Sequence, residues 1–99
     1  MTTRLLMQAD YFADPLWQRS DDGFAMAMVS LDSLPISKQL RSDLRTWAGR
    51  YDENQFSGYE WSSEQEHDSW VDRGRELYTA LVAELGPEYD VVFRPEVVG

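Results

Sequence analysis

The residue types able to do chemistry are few or scattered. The single histidine, His67, lies among Glu64, Glu66 and Asp68, and no serine stands beside it in a nucleophile-elbow motif. The chain has no cysteine, so it offers neither a thiolate nucleophile nor the thiolate ligands of a structural zinc site. The stretch SDDGF has two carboxylates and a glycine, but it lacks the alternating oxygen ligands and terminal glutamate of a calcium loop. The glycines, at 23, 49, 58, 74, 86 and 99, are too far apart to cradle a phosphate. Eighteen Asp and Glu residues give many chance carboxylate pairs and single out none as an acid–base couple. These patterns predict no catalysis, no metal and no cofactor.

What remains is carboxylate chemistry at a surface. Two turn-rich segments share one composition. The first, QADYFADPLWQRSDDG, carries Asp10, Tyr11, Asp14, Asp21 and Asp22; the second, DENQFSGYEW, carries Asp52, Glu53, Tyr59, Glu60 and Trp61. Acids interleaved with Tyr and Trp suit binding to a basic protein: carboxylates pair with Lys and Arg, and aromatic rings anchor the interface centre. These ten residues are the candidate partner-binding site. A plainer role stands beside it. Short Asp side chains cap backbone N–H groups in turns, Trp61 precedes a helix where a staple contact is common, and Trp17 can fold back over a sheet end.

The elements that must position these residues follow from periodicity. RLLMQA has the length of a strand, Asp10 to Gly23 reads as a loop opened by Asp14-Pro15 and closed by Asp22-Gly23, and FAMAMVSL is either a second strand or extended loop. From about Lys38 to Tyr51, Leu40, Leu44, Trp47, Ala48 and Tyr51 fall on one helical face behind an N-cap serine, Ser37. From Ser63 to Leu85, a capping box (Ser63, Glu66) opens a helix. Its stripe is Trp70, Val71, Gly74, Leu77, Tyr78, Leu81, Val82 and Leu85, and Gly86-Pro87 stops it. YDVVFRP is a last strand closed by Pro95. The fold class is therefore α+β: a small two- or three-stranded sheet, packed on one face by an antiparallel pair of helices at about 38–51 and 63–85. The first and last strands should be neighbours.

Ninety-nine residues make a single domain, 1–99. No apolar run approaches a membrane span and the N-terminus lacks a signal-peptide core, so the expected location is the cytoplasm. The net charge of −9 repels phosphate backbones and argues against direct nucleic-acid binding. The same charge accelerates encounter with a basic protein, or simply aids solubility. The predicted function is a non-catalytic protein-binding domain. The alternatives are a phage-type inhibitor that mimics nucleic acid and a small-molecule-binding or enzymatic domain with a pocket between sheet and helices. YDVVFRP, if an edge strand, would also allow a homodimer.

The frame DYFADPLW, LPISKQLRSDLRTWAGRYD, WVDRGRELYTALVAELGPEYDVVF resembles a group of small acidic bacterial proteins over Asp10 to Phe93. The shared motifs are structural and bring no catalytic residue. In size and charge the chain is also similar to immunity proteins of bacterial toxin systems. That resemblance implies an inhibitor covering a basic site on a toxin, such as a nuclease, with specificity in DENQFSGYEW.

Overall fold

The computed structural model describes residues 2–96. Its elements are β1 (Thr3–Ala9), β2 (Leu16–Arg19), β3 (Ala25–Met28), α1 (Lys38–Asp52), α2 (Glu64–Leu85) and β4 (Tyr89–Glu96), with short 3-10 turns at Leu31–Ser33 and Glu53–Ser57. The sheet has four strands in the order β3-β2-β1-β4. β1 pairs antiparallel with β2 and parallel with β4, and β2 pairs antiparallel with β3. The architecture is α+β as the periodicity predicts, and the first and last strands are neighbours.

The sheet is larger than the expected two or three strands because the segment read as a loop, Asp10 to Gly23, contains β2. Four residues between Pro15 and Ser20 are too few to display a two-residue alternation. β2 forms because β1 offers it a register, Leu5 opposite Gln18, Leu6 opposite Trp17 and Met7 opposite Leu16. FAMAMVSL does contain a strand, with Ala25–Met28 at the sheet edge.

The helices begin and end where the sequence places them. Ser37 Oγ accepts the Leu40 N–H at 3.1 Å and Ser63 Oγ accepts the Glu66 N–H at 3.1 Å. Gly86 takes φ +79 and donates its N–H to Val82. All five apolar stripe residues of α1 are buried. On α2, Trp70, Gly74, Leu77, Leu81 and Leu85 are buried, whereas Val82 faces solvent. Contacts of Ser37 with Glu84 and of Trp47 with Trp70 show that the helices run antiparallel. They cover one face of the sheet, where Leu5, Met7, Ala9, Leu16 and Val91 join the helix stripes in a single core. The opposite face is held by polar groups. Trp17 donates its indole N–H to the Gln8 carbonyl at 3.0 Å, Arg19 pairs with Asp90 at 2.8 Å, and Arg94 donates to the Gly23 carbonyl at 2.7 Å. Leu6, on that face, is fully buried.

The helix pair closes on a reciprocal clasp. Trp47 and Trp70 stack with centroids 4.4 Å apart and planes 1° from parallel. The Trp47 indole N–H donates to the Trp70 carbonyl at 2.8 Å, and the Trp70 indole N–H donates to the Trp47 carbonyl at 2.9 Å. The close approach depends on Gly74. A Cβ there would lie 2.7 Å from the Trp47 ring and 2.8 Å from the Phe93 ring. Two glycines thus make a matched test. Gly74→Ala should destabilise by about 1–3 kcal/mol through overpacking, despite the better helix propensity of alanine. Gly49→Ala, in α1 with nothing within 4 Å of the added carbon, should stabilise by up to about 1 kcal/mol. Thermal melts of the two variants should therefore move in opposite directions.

Candidate protein-binding surface

The two acid–aromatic segments, 40 residues apart in sequence, meet at one end of the sheet. After β1, Asp10 accepts the Tyr11 N–H at 2.8 Å and turns the chain. Tyr11 lies on Tyr51 of α1 with centroids 4.5 Å apart and meets the edge of Tyr59 at 5.1 Å. Asp52, at the end of α1, accepts the Phe12 N–H at 2.9 Å and locks the first segment against the second. Tyr51 continues the aromatic run to Trp70 at 5.4 Å and to Trp61 at 6.4 Å.

Phe12 and Tyr59 are the non-glycine residues with positive φ among the described residues, at 62° and 65°. Left-handed backbone costs a bulky residue about 1–2 kcal/mol, and both side chains are turned outward, 71% and 63% exposed. Local strain is thus held at two of the places where large aromatic rings face water. Phe56, 85% exposed, adds a third ring in the same segment.

The charge at this end is one-sided. Between Arg50 and Arg73 there is no Lys or Arg, while Asp52, Glu53, Glu60, Glu64, Glu66, Asp68 and Asp72 all fall there. Arg50 is the local cation: it pairs with Glu66 and, at 3.8 Å, with Glu53, and it sits 4.7 Å above the Trp61 ring. Trp61 is half-buried between Arg50, His67 and Trp70. Glu53 and Glu60 are exposed.

Asp14 flanks the cluster in a second way. It accepts the Leu31 N–H at 3.2 Å and lies 3.5 Å from Arg45. Arg45 also pairs with Asp32 at 3.2 Å. That hydrogen bond and charge hold the Asp32 carboxyl below its ordinary value, and the two aspartates raise the Arg45 guanidinium in return. Phe12, Asp14, Met28, Arg45, Gly49 and Asp52 line a shallow hollow here, of about 490 Å³. A more apolar hollow of about 330 Å³ opens between the two helices, floored by Trp47, Trp61 and Trp70 and rimmed by Asp43, Arg50, Glu66 and Arg73. It lies between helix and helix; a further hollow, of about 490 Å³, lies between α2 and the sheet, lined by Tyr78, Thr79, Val91 and Phe93.

Of the ten candidate residues, the structure brings together Asp10, Tyr11, Asp52 and Tyr59, with Glu53, Glu60 and Trp61 on the same segment and Asp14 on the adjoining hollow. Asp21 and Asp22 lie at the other end of the sheet, because β2 carries the chain across it; Asp21 pairs there with Arg4. Several aspartates do cap backbone N–H groups, as the plainer reading anticipates, and Asp10, Asp14 and Asp52 do so at the cluster itself. Sequence reasoning missed Phe12, Met28 and Arg45. Phe12 carried no signal beyond its aromatic neighbours, since only tertiary contact reveals its left-handed backbone. Among the described residues, no three His, Asp or Glu side chains are grouped so as to hold a metal ion, and no helix is long and apolar enough to cross a membrane.

Compared with protein families, residues 3–96 match the family described as Serratia CdiI immunity protein-like. A comparison with curated proteins gives no match. The resemblance to toxin-system immunity proteins, suggested by size and charge, is therefore upheld by a match over nearly the whole chain. The chain belongs to the Serratia CdiI immunity protein-like family.

Proposed function

We propose that this chain neutralises a toxin by covering a basic site on it, using the acid–aromatic end of the molecule. Membership of an immunity protein-like family supports toxin inhibition as the class of function. The observation that carries the choice of surface is the meeting of Tyr11 and Tyr59 at 5.1 Å, with Asp52 tying Phe12 beside them. It joins exposed aromatic rings to a rim of carboxylates that outnumber the two nearby arginines, Arg45 and Arg50. Rings give buried contact area and carboxylates give fast, specific encounter with Lys and Arg. A nuclease fits as the target class, because a site that grips phosphates is basic. The inhibitor itself needs no catalytic group: occupation of the site is enough.

Capture with the tagged chain, from cells making the toxin, should recover one stoichiometric basic protein at low salt and less of it at high salt. Many unrelated nucleic-acid-binding proteins would instead indicate mimicry of nucleic acid. Against the captured toxin, Glu53→Lys with Glu60→Lys should weaken binding at least about tenfold, chiefly through the association rate, with little change in melting temperature. Unchanged affinity would remove the acidic end from the interface. Phe12→Gly should weaken binding without lowering the melting temperature, since glycine releases the left-handed strain as the ring is lost. A lower melting temperature with intact binding would assign Phe12 to the fold.

A further inference from the structure

We infer that the hollow between the two helices is a pocket for one uncharged aromatic ring, and that a tyrosine or tryptophan side chain of the toxin fills it. The inference rests on the immunity reading above and adds an anchor to the surface proposed there.

The hollow follows from the antiparallel helix pair. Trp47 of α1 and Trp70 of α2 meet in its floor. Trp61, just ahead of α2, stands against them as a wall: its ring centroid is 5.0 Å from that of Trp70, with the planes 42° apart. Two ion pairs of opposite sense close the ends. At one end Arg50 of α1 pairs with Glu66 of α2; at the other, Asp43 of α1 faces Arg73 of α2 at 3.8 Å. Between these pairs the helices bring Thr46 and Ser69 to the rim. Both are exposed, and neither hydroxyl has a hydrogen-bond partner among the described residues. The walls are set before anything binds, which lowers the ordering cost of binding. Trp47 and Trp70 are fixed by their reciprocal hydrogen bonds. Arg50 is held 4.7 Å above the Trp61 ring while it donates to Asn54 Oδ1 at 3.0 Å.

Size and electrostatics choose the occupant. The volume, about 330 Å³, is at the lower end of the roughly 300–1,000 Å³ range of ligand pockets and suits a single ring system. Each charge on the lining already has its partner, and each end carries both signs. An incoming lysine or arginine would approach Arg50 and Arg73, and an incoming carboxylate would approach Glu66 and Asp43. Either would leave water for an apolar floor with no free counter-charge. An uncharged ring meets no such cost. It packs face-on or edge-on against indoles, and a phenol O–H or indole N–H can donate to the unpartnered hydroxyls of Thr46 and Ser69. Trp61 and Arg50 also belong to the acid–aromatic end, so the hollow adjoins the carboxylates proposed to meet the toxin. An aromatic anchor seated in a pocket beside a charged rim is the arrangement of an interface hot spot.

The four tryptophans supply both signal and control, because three line the hollow and Trp17 pairs with Leu6 on the far face of the sheet. The full chain, isotope-labelled, is titrated with N-acetyl-tyrosinamide, N-acetyl-argininamide and N-acetyl-leucinamide, and the indole N–H signals are read by NMR. The tyrosine amide should shift the signals of Trp47, Trp61 and Trp70 saturably, with a Kd on the order of 1 mM, and leave Trp17 in place. The arginine and leucine amides should bind at least about tenfold more weakly. Ser69→Phe fills the hollow from an exposed helix position and should abolish the shifts. If that variant does not fold, Thr46→Phe fills it from the facing helix, and the three probes on the unaltered chain still decide. Equal binding by the arginine or leucine amide, shifts at Trp17 alongside the other three, or no saturation would overturn the pocket. Against the captured toxin, Ser69→Phe should weaken binding at least about tenfold with little change in melting temperature. A toxin that loses affinity for the Glu53→Lys/Glu60→Lys chain but binds Ser69→Phe undiminished would leave the immunity reading standing and overturn this inference.

Discussion

The stacked, doubly hydrogen-bonded pair of Trp47 and Trp70 is the constraint on which the rest of the molecule depends. Each indole N–H finds the backbone carbonyl of the other tryptophan's residue, so two large buried rings enter the core without an unsatisfied donor. The clasp sets the spacing and register of the antiparallel helices. It also requires Gly74, because the Trp47 ring and Phe93 occupy the volume a side chain would need. A bulky aromatic pair in a small core costs a glycine in the middle of a 22-residue helix.

From this clasp the aromatic order spreads outward. Tyr51 stacks on Trp70 and passes the contact to Tyr11, and Tyr11 meets Tyr59. The exposed rings at the acid–aromatic end are thus the outer members of a network rooted in the core. A rigid core holds Phe12 and Tyr59 in backbone conformations that a looser loop would relax. This division suits a binding protein: interior rings supply rigidity, and outer rings and carboxylates supply the surface. Rigidity before contact lowers the ordering cost of association.

The sheet has a second division of labour. Its helix-covered face is apolar, and its outer face is held by Trp17, Arg19 and Arg94 through bonds to backbone carbonyls and Asp90. Those long side chains cover Leu6 while keeping their charges at the surface. The two edges are blunted differently: β4 carries charge and proline, whereas β3 is short and bulged against β2.

The sequence by itself determined both helices, their caps and their buried faces, because the period of 3.6 residues and the capping residues are local signals: Ser37, Ser63 and Gly86 act where they stand. It also determined the acidic surface and the pairing of Tyr with Asp and Glu in two segments. Only the tertiary structure decided that β2 exists, since its four residues carry no pattern and gain their register from β1. Only tertiary contact brought Tyr11 to Tyr59 and Asp52 to Phe12, and sent Asp21 and Asp22 to the far end, because chain direction through β2 is invisible in composition. The strained backbone of Phe12 and the open edge of β3 belong to the same class: both are set by what lies across space from them.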